Sequence, residues 1–390
     1  MRREPVIGVQ PEIMRWARQT IGLSVPDVAR AINKSIEKVE AWEDGTDAPS
    51  YVELERLAYK VYKRPLAVFF LPAPPEEVTP ERKFRTLPQS DLQTLAADTY
   101  LQIRKALAFQ LALKEVIGGR KTDENSIWQS IILSRNGSVI DQANAIRTYL
   151  EITLEDQITW KSDELALKKW RQAIEDAGVF VFKAAFRQKD ISSFCLVDRD
   201  FPVVYLNNST TKTRQIFSLL HELAHLLLSI NGLSKFDTSY IDRLPVAEKQ
   251  VERFCNAIAA EVLIPSSDFQ EQVAHFPANV EHASEQHYDD LATRYGVSRE
   301  AILRRFLDQG RVGTAFYEQK AKQWAAQKKA GSGGDWYASQ NIYLSDRFAK
   351  EVVSRYYRHQ ITLEQAAEFL GIKAKNFAGL EQRILQGAGA

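Results

Sequence analysis

The sequence predicts an α+β protein, mostly α, and three observations carry that class. Apolar residues recur at helical spacing along most of the chain, from "PEIMRWARQTIG" near one end to "LEQAAEFLGIKAKNFAGL" near the other. Three short runs rich in β-branched and aromatic residues interrupt that rhythm between positions 179 and 207. An almost wholly apolar stretch, "QIFSLLHELAHLLLSI", follows them and holds two of the chain's six histidines.

Residues 1–75 read as an N-terminal domain of five short helices with helix-turn-helix character. The first helix, "PEIMRWARQ", stops at Gly22. The second, "VPDVARAIN", has Ser24 as N-cap and Pro26 in its first turn. A tight turn at Asn33-Lys34 leads to a third, capped by Ser35 and ended by Gly45. "SYVELERLAYKVYKRPLAVFFLP" supplies the fourth and fifth. Residues 76–175 read as a linker and a helical middle segment, the linker being the Pro- and Glu-rich "LPAPPEEVTPER". Residues 176–310 hold three predicted strands, Val179–Phe186, Phe194–Asp198 and Pro202–Asn207, and then the histidine-bearing helix. Residues 311–390 read as a flexible linker, "KKAGSGGD", and a C-terminal helical segment that again looks like a helix-turn-helix.

Composition excludes several classes. With 51 basic against 50 acidic residues the net charge is +1, so no global field draws the chain to nucleic acid or membrane, and any such contact must be local. Two cysteines, Cys195 and Cys255, make no disulfide framework and fit a reducing cytoplasm. The N-terminal residues lack the apolar run of a signal peptide, and no apolar segment approaches the roughly 20 residues that span a bilayer. A cytoplasmic location is expected.

His221 and His225 stand four apart on the predicted helix, so one face presents both imidazoles to one ion. Zinc accepts that geometry, and Glu222 beside the first ligand is placed to act on a metal-bound water as general base. With six histidines in 390 residues, a random His-Glu-x-x-His arises only about 0.006 times per chain. The competing reading is a pair of core histidines bonded to backbone; burying Glu222 unpaired, at several kcal/mol in order of magnitude, counts against it. Catalytic zinc needs a third protein ligand. The next long helix offers Glu248, Glu252 and Glu261. Glu252 is the stronger candidate: Asn256 shares its face and can accept a hydrogen bond from the free ring nitrogen of a ligand histidine. Glu248 lies one turn earlier, and Glu261 falls on the opposite side. Arg214, two turns before His221 on the same face, is a candidate to steady the site or touch substrate. His275, His282 and His287 are weaker candidates as oxyanion donors, and Cys255 is expected to pack.

"RQIFSLLHELAHLLL" followed by "VERFCNAIAAEVLIP" resembles the ImmA/IrrE metallopeptidases. Phe217, His221, Glu222, Leu223 and His225 match the first motif of that family; Glu252, Asn256, Ala259, Ala260, Leu263 and Pro265 match the second. The departures, Ser218, Leu220, Ala224, Cys255, Ile258, Val262 and Ile264, remove no proposed ligand or base. The resemblance implies zinc held by His221, His225 and Glu252, with Glu222 catalytic. It further implies cleavage of a partner protein, often a repressor; strand pairing on the edge of the small sheet near Pro202–Asn207 is the expected docking mode. The N-terminal segment resembles the Cro/C1-type (XRE) helix-turn-helix through "GLSVPDVARAINKSIEKVEAWEDG". Its third helix is acidic: Glu37, Glu40 and Asp44 share one face, Val39 and Trp42 mark the core side, and DNA contact would fall to Lys34, Ser35 and Lys38. The alternative function is a transcription regulator, or the antitoxin of a toxin–antitoxin pair, with the zinc domain as scaffold or sensor. Oligomerisation is left open.

Overall fold

Side-chain caps set the helix boundaries of the N-terminal segment. Ser24 and Asp27 close a capping box at the start of α2 (Val25–Ile32), and Ser35 accepts from the Lys38 amide at the start of α3 (Ile36–Asp44). A computed structural model of the protein describes residues 4–77, 84, 91, 95–117, 126–186, 188, 190–235, 238–274, 276–326 and 343–387. The expected linker "KKAGSGGD" and the stretch 78–82 of "LPAPPEEVTPER" lie outside the described residues. The chain divides into two compact units, Met1–Lys105 with Phe186–Asp190, and Ala106–Ala185 with Ile191–Ala390.

In the first unit, α1 (Pro11–Gln19), α2 (Val25–Ile32), α3 (Ile36–Asp44) and α4 (Tyr51–Arg56) occur as the patterning predicts. Asn33 adopts a left-handed conformation (φ 57°) at the turn between α2 and α3, and Gly45 ends α3 with φ 84°. α4 runs on as a π-helix, Leu57–Tyr62, and the fifth helix is a short 3-10 turn, Leu66–Phe70. Val39 and Trp42 are buried, as their spacing requires. Glu43, also buried, is held bidentately by Arg18 at 2.7 Å on both oxygens.

α5 (Ala97–Ile117) begins in the first unit and ends in the second. The second unit adds α6 (Ile127–Ser130), α7 (Val139–Tyr149), α8 (Leu154–Thr159) and α9 (Asp163–Asp176). A four-stranded sheet follows in the order β1-β3-β2-β4: β1 (Phe180–Ala184), β2 (Ile191–Leu196), β3 (Val203–Asn207) and β4 (Leu233–Lys235). β1 is parallel to β3, and the other two pairings are antiparallel. β3 therefore has a neighbour on each side, and the docking edge expected at Pro202–Asn207 is corrected: the edges are β1 and β4. The fourth strand, only three residues long, is absent from the sequence-based expectation.

Register separates the two faces of the sheet. Val181, Val204 and Cys195 align across β1, β3 and β2 and face the main core. Phe182, Tyr205 and Phe194 align on the other face, the latter two rings stacked at 5.1 Å. Phe109 of α5 stacks on Phe182 at 4.4 Å. The core face is covered by α10 (Lys212–Leu227), buried almost all round, with α9 against β1, and α11 (Val246–Leu263) packs on the other side of the core against α10 and α7. α12 (Ser266–Val273), α13 (Glu285–Tyr295), α14 (Arg299–Asp308) and α15 (Thr314–Ala326) continue the unit.

The C-terminal helices are α16 (Asp346–Tyr357), α17 (Leu363–Phe369) and α18 (Phe377–Gly387). α16 completes the aromatic face, where Phe348 meets Phe182 edge-on at 5.8 Å. Its first turn is held by a buried anchor: the Asp346 amide donates to Glu175 Oε2 at 3.1 Å, and Arg171 of α9 donates to the Leu344 carbonyl. None of the described helices is long and apolar enough to cross a membrane.

Candidate metal centre

Thr211 caps α10 by accepting from the Arg214 amide, and the helix then runs through the core with His221, Glu222 and His225 in its buried middle. α11 lies against it and contributes Glu252. The histidine Nε2 atoms are 3.1 Å apart; His221 Nε2 lies 3.4 Å from Glu252 Oε2, and His225 Nε2 lies 3.2 Å from Glu252 Oε1. Donors at roughly 2.0–2.1 Å from one tetrahedral zinc would stand about 3.3 Å from each other, so these spacings fit a single ion. The set is also the right chemistry, two imidazoles and one carboxylate.

Electrostatics at Glu252 follow from the same contacts. Burial pushes its carboxyl up, but the His225 and His221 rings overcome this and hold it well below the usual carboxylate range. Burial disfavours a charged His225 ring; Cys255 and Glu252 beside it outweigh that and raise its pKa well above the ordinary value.

Glu222 is fully buried. Ser193 Oγ and Ser234 Oγ both donate to its Oε1 at 2.7 Å, while Oε2 accepts from no donor among the described residues. Ser193 and Ser234 are register partners across β2 and β4, which puts both hydroxyls on the face that meets α10. The backbone of Gly232 passes so close that a Cβ there would lie 2.6 Å from Glu222 Oε2 and 2.8 Å from His225 Cδ2. Tyr240, on the 3-10 turn Thr238–Arg243, donates to Glu252 Oε2 at 2.7 Å, and burial together with Glu252 raises its phenol pKa. Ser193, Ser234, Gly232 and Tyr240 were not among the expected site residues; no motif spacing marks them.

The remaining expected residues are placed as follows. Asn256 is half-buried on α11 and makes no hydrogen bond to either histidine; both Nδ1 atoms lack a hydrogen-bond partner among the described residues, and the thiol beside His225 is Cys255. Arg214 donates to the Lys235 carbonyl at 3.1 Å and lies 5.6 Å from the Phe217 ring. Glu261 binds Arg305 at 2.5 Å on the far side of α11, and Glu248 stays outside the cluster. His282 is exposed and His287 bonds Ser284 Oγ at 2.7 Å, while His275 lies outside the described residues. In the first unit, Lys34 pairs with Glu53 at 2.6 Å, Lys38 pairs with Asp47, and the Ser35 hydroxyl is engaged as the α3 cap. The arginines of "RYGVSREAILRRF" are likewise paired: Arg294 with Asp268, Arg299 with Glu285, Arg304 with Asp308, and Arg305 with Glu261.

Residues 174–307 match the IrrE N-terminal-like domain of peptidase family M78. That span takes in the whole sheet, α10, α11 and the helices through most of α14. No curated protein matches the chain.

Proposed function

We propose that the second unit is a zinc-dependent endopeptidase within a regulatory protein, cleaving a partner protein such as a repressor. The observation that carries this reading is the convergence of His221, His225 and Glu252 on one point, with their ligand atoms all within 4.8 Å of one another. The peptidase-family match over residues 174–307 supports it. A zinc ion on these three side chains would supply Lewis acidity toward a peptide carbonyl and a water molecule. Glu222 takes the water's proton on Oε2, the oxygen without a described donor, and returns it to the leaving amine. Ser193 and Ser234 hold the other oxygen still. The substrate backbone is proposed to run along β4, the edge strand whose Ser234 touches Glu222.

The N-terminal helices are proposed to give the regulatory context, with Lys34, Ser35 and Lys38 as the contact to DNA. Metal analysis and co-expression with the partner test the reading together. The wild-type chain is expected to carry one zinc, and His221→Ala to lose most of it. Glu222→Gln is expected to keep zinc and abolish cleavage, since an amide cannot take the water's proton. Equal zinc in wild type and His221→Ala would overturn the site. Identical fragments from wild type and Glu222→Gln would overturn the base. Zinc without cleavage by wild type would favour an antitoxin or regulator that uses the domain as scaffold or sensor.

A further inference from the structure

The two oxygens of Glu252 have different surroundings. Oε2 accepts the Tyr240 hydroxyl at 2.7 Å and lies 3.4 Å from His221 Nε2. Oε1 is buried, accepts no hydrogen bond among the described residues, and lies 3.2 Å from His225 Nε2. An ionised oxygen without a donor in a dry interior is costly, so Oε1 is the atom left for an outside group. We propose that Tyr240 is a positioning residue that holds Oε2 out of the coordination shell, so that Glu252 binds a divalent cation through Oε1 alone. The proposal rests on the reading of His221, His225 and Glu252 as metal ligands.

A carboxylate can bind an ion through one oxygen or through both. A phenol hydrogen bond occupies a lone pair of Oε2 and draws charge from it, which makes that oxygen the poorer donor. Tyr240 is only 2% exposed, and its ring is enclosed by the protein, so water does not readily replace its hydroxyl. The 3-10 turn that carries it leads directly toward α11, which carries the carboxylate, so the pair is built from one short stretch of chain. With one carboxylate oxygen engaged, His221, His225 and Glu252 would supply three protein donors and leave room for a further ligand, the difference between a catalytic and a closed structural site. Tyr240 thus governs whether the centre can accept a further ligand.

The test uses the full chain loaded with zinc, and separately with cobalt as a visible probe. X-ray absorption on the wild type is expected to count one carboxylate oxygen. Tyr240→Phe is expected to keep one-to-one stoichiometry and to gain a second oxygen. Its affinity in competition with a chromogenic chelator should fall roughly 10–100-fold, and the cobalt absorption should weaken as coordination rises. An unchanged affinity and cobalt spectrum in a folded Tyr240→Phe would overturn the proposal while leaving the metal site standing. Two carboxylate oxygens on the wild-type ion would overturn it whether or not the variant folds. A wild-type chain that takes up no ion would defeat the metal reading, and this proposal with it.

Discussion

Ser193 and Ser234, paired across β2 and β4, donate to the same oxygen of Glu222, each at 2.7 Å. Two neutral donors thus stabilise a fully buried carboxylate where no described cation bonds to it. Hydrogen bonds to charged groups contribute about 1.5–3 kcal/mol each. Ser193→Ala with Ser234→Ala should therefore lower the denaturant midpoint clearly while leaving zinc content near that of wild type. An unmoved midpoint would show that Glu222 is not held in this way.

Gly232 should tolerate no side chain. A methyl at this position would lie 2.6 Å from Glu222 Oε2 and 2.8 Å from His225 Cδ2, and both neighbours are anchored in the buried part of α10. Gly232→Ala is expected to cost roughly 1–3 kcal/mol through overpacking and to reduce zinc binding. Thermal melts and metal analysis of the variant check both effects; wild-type values for each would mean the backbone yields there.

DNA binding by the N-terminal unit, if it occurs, should be weak and sensitive to salt. Lys34 and Lys38 must exchange their carboxylate partners, Glu53 and Asp47, for phosphates. Such partly exposed pairs are worth about 0–1 kcal/mol, so the exchange is feasible but adds little. Lys34→Glu with Lys38→Glu should abolish a mobility shift on the promoter of the protein's own gene. A shift that survives the double change, or none by wild type at low salt, would leave the unit as a protein-contact module.

Stability should dip near neutral pH because of two buried groups beside β1. Burial raises the Glu175 carboxyl from 4.5 to about 7, with Arg171 opposing. Its folded pKa exceeds the unfolded one, so its contribution to stability is greatest below pH 4.5 and declines as pH rises toward 7. Burial lowers Lys183 from 10.5 to about 7, so its cost is relieved only as pH climbs from 7 toward 10.5. Glu175→Gln should remove the decline on the acid side and spare the rise on the alkaline side. Denaturation midpoints across this pH range decide; a variant with the wild-type profile would exclude Glu175.

The cluster of His221, His225 and Glu252 was legible because local periodicity places its members. His221 and His225 are one helical turn apart, and Glu252 lies on an equally regular helix whose other face carries Glu261, paired with Arg305. The caps at Ser24 and Ser35 were legible for the same reason, since each acts within three residues. Sheet order was not: β3 becomes internal only because β1 pairs with it in parallel across the intervening β2, which takes its other side. β4 has three residues, too few for alternation to register. Tyr240 and Gly232 matter through contacts that depend on how β4 and the following turn fold over α10, which no short window of sequence records.

The aromatic row of Phe182, Tyr205 and Phe194 also sets a timetable. Its covering ring, Phe348, is translated long after the strands themselves. On the ribosome, β1, β2 and β3 are therefore made well before one flank of Phe182 can be closed, and a nascent chain in that interval displays an apolar surface open to misassociation. A transcript cut short between Leu263 and Leu344 yields a polypeptide that retains every proposed ligand yet lacks this cover. Such a product would be sorted by the cell's quality control on solubility, before metal or substrate had any bearing on its fate.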